Sequence, residues 1–288
     1  MKYKASIIIP TYNRSNLLKL TLKSIQNQNI NLNDIEVLVC DDGSSDDTKD
    51  IVNLFSKNLN IKYLFQEDKG FRAAKARNMG IKESESDLCI FLDSGILLGR
   101  KVVNEYLKSY KKNKDSVIIG TVLGFDNINS NEKILNELVF FDDVDEIIKI
   151  LKDKNIEDTR FSYYRKYGED LSVWKAPWVV MWSGNMAISK EKLLKVGLFD
   201  EIYNSWGGED TDLAIALFKN KTKFILNNNC IGVDTPHKKY HSMISDPIKF
   251  QKEFLKKLRY MNDKYKDLST KLAMYYDYSY LNTLLEIE

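Results

Sequence analysis

The stretch IFLDSGILL, residues 90–98, runs three apolar residues into Asp93 and then turns through Ser94 and Gly95 into a second apolar run. A carboxylate is costly to bury without a partner, so an Asp that closes a buried strand suggests a site. Sites of this form often carry a second Asp two residues on, so that two carboxylates share a divalent cation; here that place is Gly95. Three other apolar runs end in comparable polar clusters: PTYNR after SIII, DDGSSDD after VLVC, and QEDKGFR after KYLF.

The elements that must position these clusters alternate. ASIIIP, IEVLVCDD, IKYLFQ and DLCIFLD read as strands, and SNLLKLTLKSIQNQ, DTKDIVNLFSKNL and FRAAKARNMGIKES as the helices between them. Continuous apolar strands in regular turn with amphipathic helices predict a parallel sheet covered on both faces. Ser15 is the expected cap of the first helix, and Asp46 or Asp47 of the second. In such sheets ligands bind beyond the carboxyl ends of the strands. A single DDGSSDD is usually a turn that caps the next helix. Four clusters in register at one edge instead point to a nucleotide-type site.

Composition bounds the rest. The chain has 288 residues, 43% of them hydrophobic, enough for one large domain or one domain with an appendage. Lysine and arginine total 43 against 41 acidic residues, a formal charge of +2 that gives no basis for a nucleic-acid partner. Cys40, Cys89 and Cys230 are far apart and odd in number, and read as buried free thiols of a reducing compartment. The apolar run before Pro10 is too short for a signal peptide, and no run approaches the roughly 18 apolar residues of a membrane span. A cytoplasmic location is expected.

IIIPTYNR, VLVCDDGSSDDT, GFRAAKARNMGI and FLDSG resemble the nucleotide-binding half of family 2 glycosyltransferases with the GT-A fold. WSGNMAISKEKLLKVGLFDEIYNSWGGEDTDLAIALFKNK resembles the acceptor half of β-1,4-galactosyltransferases and bacterial chondroitin-polymerase-type enzymes, with WGGED the most specific motif. The resemblance covers roughly residues 4–98 and 179–241. It implies an α/β fold, a GT-A (Rossmann-like), mostly parallel sheet flanked by helices. Residues 1–241 would form the glycosyltransferase domain, with 1–98 the nucleotide-binding half and 179–241 the acceptor and metal half. Residues 242–288 would be a helical C-terminal extension.

Carried over by motif, Thr11 and Tyr12 line a uracil pocket and Asp42 holds the uracil or ribose edge, with Pro10, Arg14, Asp93 and Ser94 completing the nucleotide-sugar contacts. Lys69, Arg72 and Arg77 face the diphosphate, where guanidinium forks give paired, charge-assisted bonds; the alternative for Arg77 is a pair with Asp46 and Asp47. Asp210 is the expected general base, because inversion in one displacement needs a base at the acceptor oxygen, and Glu209 the acceptor-hydroxyl contact. Gly207 and Gly208 let backbone approach the acceptor sugar, Trp206 stacks on it, and Trp182 lies nearby. The competing readings are core packing for Trp206 and a helix N-terminal cap for Glu209 and Asp210.

By the same resemblance Gly95 stands where a metal-binding carboxylate is usual. The expected ligands are Asp93, His237 and Asp234, holding manganese or, alternatively, magnesium. His237 matches a family position that can bind metal, and Asp234 falls three residues before it in GVDTPHKKYH, where the family offers a thioether. In the alternative, Lys69 and the arginines neutralise the diphosphate without a cation, and His237 and His241 are surface histidines.

The implied activity is an inverting transfer of galactose or an N-acetylhexosamine from a UDP-sugar to the hydroxyl of a carbohydrate or glycoconjugate acceptor. Polysaccharide, lipid-linked oligosaccharide, glycosylated protein and small aminoglycoside-like molecules all stay open as acceptors. The alternative is a non-catalytic GT-A-like partner or chaperone of an active transferase. A nucleotidyltransferase lacks the glycine-rich, lysine-containing loop it would need. Residues 136–178, with Trp174 and Trp178, read as an acceptor-specific insertion, helical over VDEIIKILKDK. The C-terminal segment reads as one or two amphipathic helices suited to packing on the domain, to a homo-oligomer contact or to peripheral membrane docking.

Overall fold

The computed structural model describes residues 2–124, 132–138, 143–237 and 247–287. His241, the basic segment around it and the expected boundary at 241–242 lie outside the described residues. The first hundred residues alternate as expected: β1 (Ala5–Thr11), α1 (Ser15–Gln26), β2 (Ile35–Asp41), α2 (Thr48–Phe55), β3 (Ile61–Phe65), α3 (Ala73–Glu83), β4 (Leu88–Leu92) and β5 (Ile96–Leu98). There follow α4 (Val102–Lys112), β6 (Ser116–Leu123), α5 (Glu132–Leu138), α6 (Val144–Asp153) and α7 (Phe161–Tyr167). Next come β7 (Asn185–Ser189), α8 (Lys190–Val196), α9 (Glu209–Lys219) and β8 (Lys223–Asp234). The last described segment holds α10 (Pro247–Tyr265), α11 (Leu268–Ala273) and α12 (Tyr278–Glu286).

Among the described residues eight strands form one sheet in the order β3-β2-β1-β4-β7-β6-β8-β5. The β3-β2-β1-β4 half is parallel. Beyond it β7 runs antiparallel to both β4 and β6, β8 is parallel to β6, and β5 is antiparallel to β8. The sheet is therefore mixed, with parallel pairing confined mainly to the β3-β2-β1-β4 half. Every residue of β2 and β4 is buried, which their unbroken apolar character required. Residues Leu18, Leu22 and Ile25 of α1 recur at helical spacing and go into the core below that sheet. Cys40, Cys89 and Cys230 are all buried free thiols.

One capping expectation is corrected and the other refined. Arg14, not Ser15, holds the N-cap position of α1 and makes no side-chain cap bond. The Asp46 carboxylate takes the Ser15 N–H (2.8 Å) and, on its other oxygen, the Thr48 N–H (3.1 Å), so one side chain serves the first turns of α1 and α2. Asp47 holds the N-cap position of α2 without a side-chain bond.

The C-terminal helices share the main core. Leu258, Met261, Ala273 and Leu281 join a cluster with Phe91, Met186, Trp174 and Trp178. The Asn282 side chain accepts the Ala176 N–H at 2.7 Å, and Tyr278 packs edge-on against Trp178. Trp174 and Trp178, read as part of an acceptor insertion, are core residues, 5% and 1% exposed. No helix among the described residues is long and apolar enough to cross a membrane.

Candidate active site

The carboxyl ends of β1, β2, β3 and β4 open at one edge, and the two acids that close β2 divide the work there. Asp41 is fully buried: one oxygen takes the N–H groups of Gly43 (3.1 Å) and Ser44 (2.8 Å), the other the Tyr63 hydroxyl (2.6 Å). It shapes the turn. Asp42 takes the Gln66 amide (2.6 Å) and the Arg72 N–H (2.6 Å) and pairs with the Arg72 guanidinium at 3.1 Å. Burial pushes the Asp42 carboxyl above its usual range, against the pull of those bonds. Around it Thr11 Oγ1, Gln66 Oε1 and Arg72 Nε are buried and make no hydrogen bond. Buried polar atoms without partners are uncommon, and these lie at the end of β1, after β3 and at the N-cap of α3, the edge where a ligand belongs.

The other nominated residues of this half spread outward. Ser94 Oγ donates to the Pro10 carbonyl (2.9 Å), tying the loop after β4 to the end of β1. Tyr12 is 44% exposed, its hydroxyl on Asp68 at 2.8 Å. Lys69 is exposed and 3.5 Å from Glu67, and Arg14 is exposed at the start of α1. Arg72 is turned toward Asp42 and the Glu67 carbonyl rather than standing open to a diphosphate.

Arg77 differs most from its expected place. It pairs with neither Asp46 nor Asp47 and does not face solvent. Its side chain is 5% exposed, and the guanidinium lies 3.0 Å from Asp93, 3.2 Å from Glu209 and 3.9 Å from Asp210. Burial opposes its charge, but Asp93, Asp210 and Glu209 outweigh burial and hold it above its ordinary pKa. The residue sits on the sheet-facing side of α3, where Gly80 brings the helix against Ile8 and Cys40. One cation thus joins the carboxylate that ends β4 to the two that begin α9.

Glu209 and Asp210 are the first two residues of α9; Gly208 is the N-cap, so neither acid is the cap. Ser183, the residue after Trp182, holds Asp210 through its hydroxyl (2.6 Å) and its N–H (3.2 Å). Burial, then the charge of Asp210, push Glu209 up to about 7, against the pull of Arg77. Burial also raises Asp210, while Arg77 and Ser183 hold it back. Three carboxylates on one guanidinium leave an excess of negative charge, so the Glu209–Asp210 pair titrates together. Glu209 Oε2 is buried without a partner, and the Asp210 side chain is 25% exposed. Asp210 is the acid of the pair with access to a ligand.

Trp206 is 36% exposed, 6.4 Å ring to ring from Phe250. Gly207 and Gly208 form the turn between it and α9. Trp182 is half-buried with the Arg160 guanidinium 4.9 Å over its ring. Arg160 in turn is buried on Asp158 and on the carbonyls of Val180 and Gly120, which anchors the segment that delivers Ser183.

On the metal side, Thr235 donates both its N–H (2.9 Å) and its hydroxyl (2.6 Å) to the Gly95 carbonyl, so the chain after β8 lies beside the Asp93–Gly95 turn. His237 Nδ1 lies 2.8 Å from the Thr235 carbonyl and donates its proton there. Asp93 is 43% exposed. Asp234 is 6% exposed, with its oxygen 3.9 Å from His237 Nδ1. Among the described residues no three His, Cys, Asp or Glu side chains form a metal-holding group. The three-ligand set read from the sequence is not assembled among the described residues.

Gly95 has φ +105°, and a Cβ there would stand 3.0 Å from Thr235 Oγ1. The missing carboxylate is thus a backbone requirement of this turn. Gly95→Asp is expected to lower stability by about 1–3 kcal/mol, read as an equal fall in Tm for Gly95→Asp and Gly95→Ala. A wild-type Tm in both would remove the backbone explanation.

The sequence pattern of glycosyl transferase family 2 matches residues 6–196. The chain belongs to glycosyl transferase family 2. A second pattern, described as the N-terminal domain of galactosyltransferase, matches residues 165–242, the part of this family 2 protein that carries WGGED. Validoxylamine A glucosyltransferase of Streptomyces hygroscopicus subsp. jinggangensis is 34% identical over 237 residues, 82% of this chain and 56% of that protein. Chondroitin synthase of Pasteurella multocida is 36% identical over 220 residues, 74% of this chain and 23% of that protein. The chain spans about half the length of the first of these relatives and about a quarter of the second. Among solved structures, S. aureus TarS 1–349 in complex with UDP-GlcNAc superposes with a TM-score of 0.65 at 18% identity, covering 90% of this chain and 65% of that one. The mannosyltransferase PcManGT of Pyrobaculum calidifontis, in complex with GDP-Man and Mn2+, gives 0.58 at 18%, covering 90% of this chain and 64% of that one. The fold is GT-A, as the motifs implied.

Proposed function

We propose that this family 2 protein is an inverting glycosyltransferase that moves a hexose or N-acetylhexosamine from a UDP-sugar to an acceptor hydroxyl. The observation that carries the reading is Arg77, which gathers Asp93 of the donor edge with Glu209 and Asp210 of the acceptor helix. The acceptor oxygen attacks the anomeric carbon, the bond to the diphosphate breaks, and Asp210 takes the hydroxyl proton. Thr11 Oγ1 and Gln66 Oε1 supply a donor and an acceptor for the polar edge of uracil beside Asp42. A divalent cation held by Asp93 and His237 would stabilise charge on the departing diphosphate. The relatives are named for validoxylamine A and for chondroitin, so an acceptor screen should include both a validoxylamine and chondroitin oligosaccharides.

The test is calorimetry with UDP, GDP and CDP, followed by hydrolysis of UDP-glucose, UDP-galactose and UDP-N-acetylhexosamines with and without manganese. UDP should bind tightest, and Asp42→Ala should weaken it by about 1.5–3 kcal/mol. Chelation should lower hydrolysis, manganese should restore it, and His237→Ala should weaken the manganese dependence. Equal affinity for all three nucleotides would overturn the donor assignment; chelator-insensitive turnover would overturn the cation.

A further inference from the structure

The loop that carries Trp206, Gly207 and Gly208 has no regular structure of its own, yet it sets the start of α9 and therefore the placement of Glu209 and Asp210. Its support comes from α10. Lys257 Nζ donates to the carbonyls of Ser205 (3.1 Å), Trp206 (2.6 Å) and Gly207 (2.8 Å). An ammonium has three donors, and all three are spent on consecutive carbonyls of one loop. The methylene stem of Lys257 completes the contact. Gly208 has φ +101°, and a Cβ there would meet the Tyr203 ring at 2.8 Å and Lys257 Cδ at 3.4 Å.

The same face of α10 fixes both flanks of the loop. Tyr260 donates to Asp200 (2.6 Å), and Lys264 bridges Asp200 (2.8 Å) and Asp212 (2.7 Å). These contacts bracket the acceptor loop without touching the donor edge. We propose that Lys257 is a positioning residue for the reaction, holding the acceptor loop in the one conformation that sets Asp210 against the acceptor oxygen. Burial lowers the pKa of Lys257, against the opposing pull of the charges of Glu209 and Glu253. Without the ammonium, three carbonyls at a partly open position turn out to water, and the loop turns with them.

The proposal rests on the glycosyltransferase reading for its kinetic arm and on the loop itself for its structural arm. Lys257→Met keeps the stem and removes the charge, and Lys257→Arg keeps the charge. Hydrogen exchange of the segment 203–210 should quicken about ten-fold or more in Lys257→Met while the β1–β4 half stays as in wild type. With the best UDP-sugar of the hydrolysis panel as probe, kcat should fall about ten-fold to a hundred-fold with donor KM unchanged, the scale of a small misplacement. Lys257→Arg should recover most of both. Unchanged exchange and unchanged kcat would overturn the proposal. So would a uniform rise in exchange across the chain with a parallel loss of UDP affinity, which would make Lys257 a stability residue only. A wild type that neither binds UDP nor hydrolyses a UDP-sugar would refute the proposed function, and the exchange result would still decide whether Lys257 holds the loop.

Discussion

Asp210→Asn is expected to lower transfer by roughly 10²–10⁴ while leaving UDP affinity at the wild-type value. The amide keeps the size of the carboxylate and can still meet the Ser183 hydroxyl, but it takes no proton. Its position explains the selectivity of the effect: Asp210 is the second residue of α9 and reaches the Asp93 turn through Arg77 and through Ser183–Gly184, not through Asp42. The wild type should show an acid limb in its pH–rate profile. Burial raises both acids, the charge of Asp210 adds to the rise of Glu209 to about 7 and that of Asp93 to the rise of Asp210, so the pair holds a proton below neutrality and loses it as the pH rises. Rate should therefore climb through neutral pH, and that limb should disappear in Asp210→Asn. Near-full turnover of Asp210→Asn at saturating donor would move the base elsewhere, with Glu209 next to test.

Arg77→Met should destabilise the fold by about 3–5 kcal/mol at neutral pH, because it strands buried carboxylates without their cation. The loss should depend on pH, and its sign follows from the direction of the shifts. Without Arg77 the carboxyl groups of Glu209 and Asp210 rise further above their unfolded values, so the folded chain holds more protons than the unfolded one between those values. Stability then falls as pH rises through that window. The Tm difference between wild type and Arg77→Met should be small near pH 5 and large near pH 8. A difference independent of pH would mean that Arg77 acts through packing against Phe199 rather than through charge.

The nucleotide half was legible because its signals are local. Apolar strands, turn acids and amphipathic helices follow one another at short range, and the elements over residues 5–92 formed where the patterning put them. The mixed order of the sheet beyond β4 was not legible, since β7, β6 and β8 pair across long separations that no local pattern encodes. Arg77 shows the same limit at the scale of one side chain. In GFRAAKARNMGI it reads as a cation on a helix that follows a nucleotide loop, and nothing nearby reveals carboxylates from positions 209 and 210. Ser183 and Lys257 were missed for the same reason, although Ser183 stands inside WSGN beside a nominated tryptophan. Gly95 was read as a lost ligand, whereas its φ makes it a turn former. Asp42 shows what does survive: an acid closing a strand kept its place at the edge, and only its partners, Gln66 and Arg72, needed the structure to be seen.

The shared core has a consequence for how this protein is made. Trp178 and Ala176 find their partners on Tyr278 and Asn282, about a hundred residues further along the chain. During synthesis the nucleotide half can pair its strands early, because β1 to β4 are contiguous in order of translation. Until α10 to α12 have left the ribosome, Trp174, Trp178 and Met186 lack part of the apolar surface that covers them. The emerging chain therefore passes through a stage in which strands β1 to β4 are paired and the apolar surface around Trp178 is still sticky, the interval in which chaperone capture or aggregation would compete with folding.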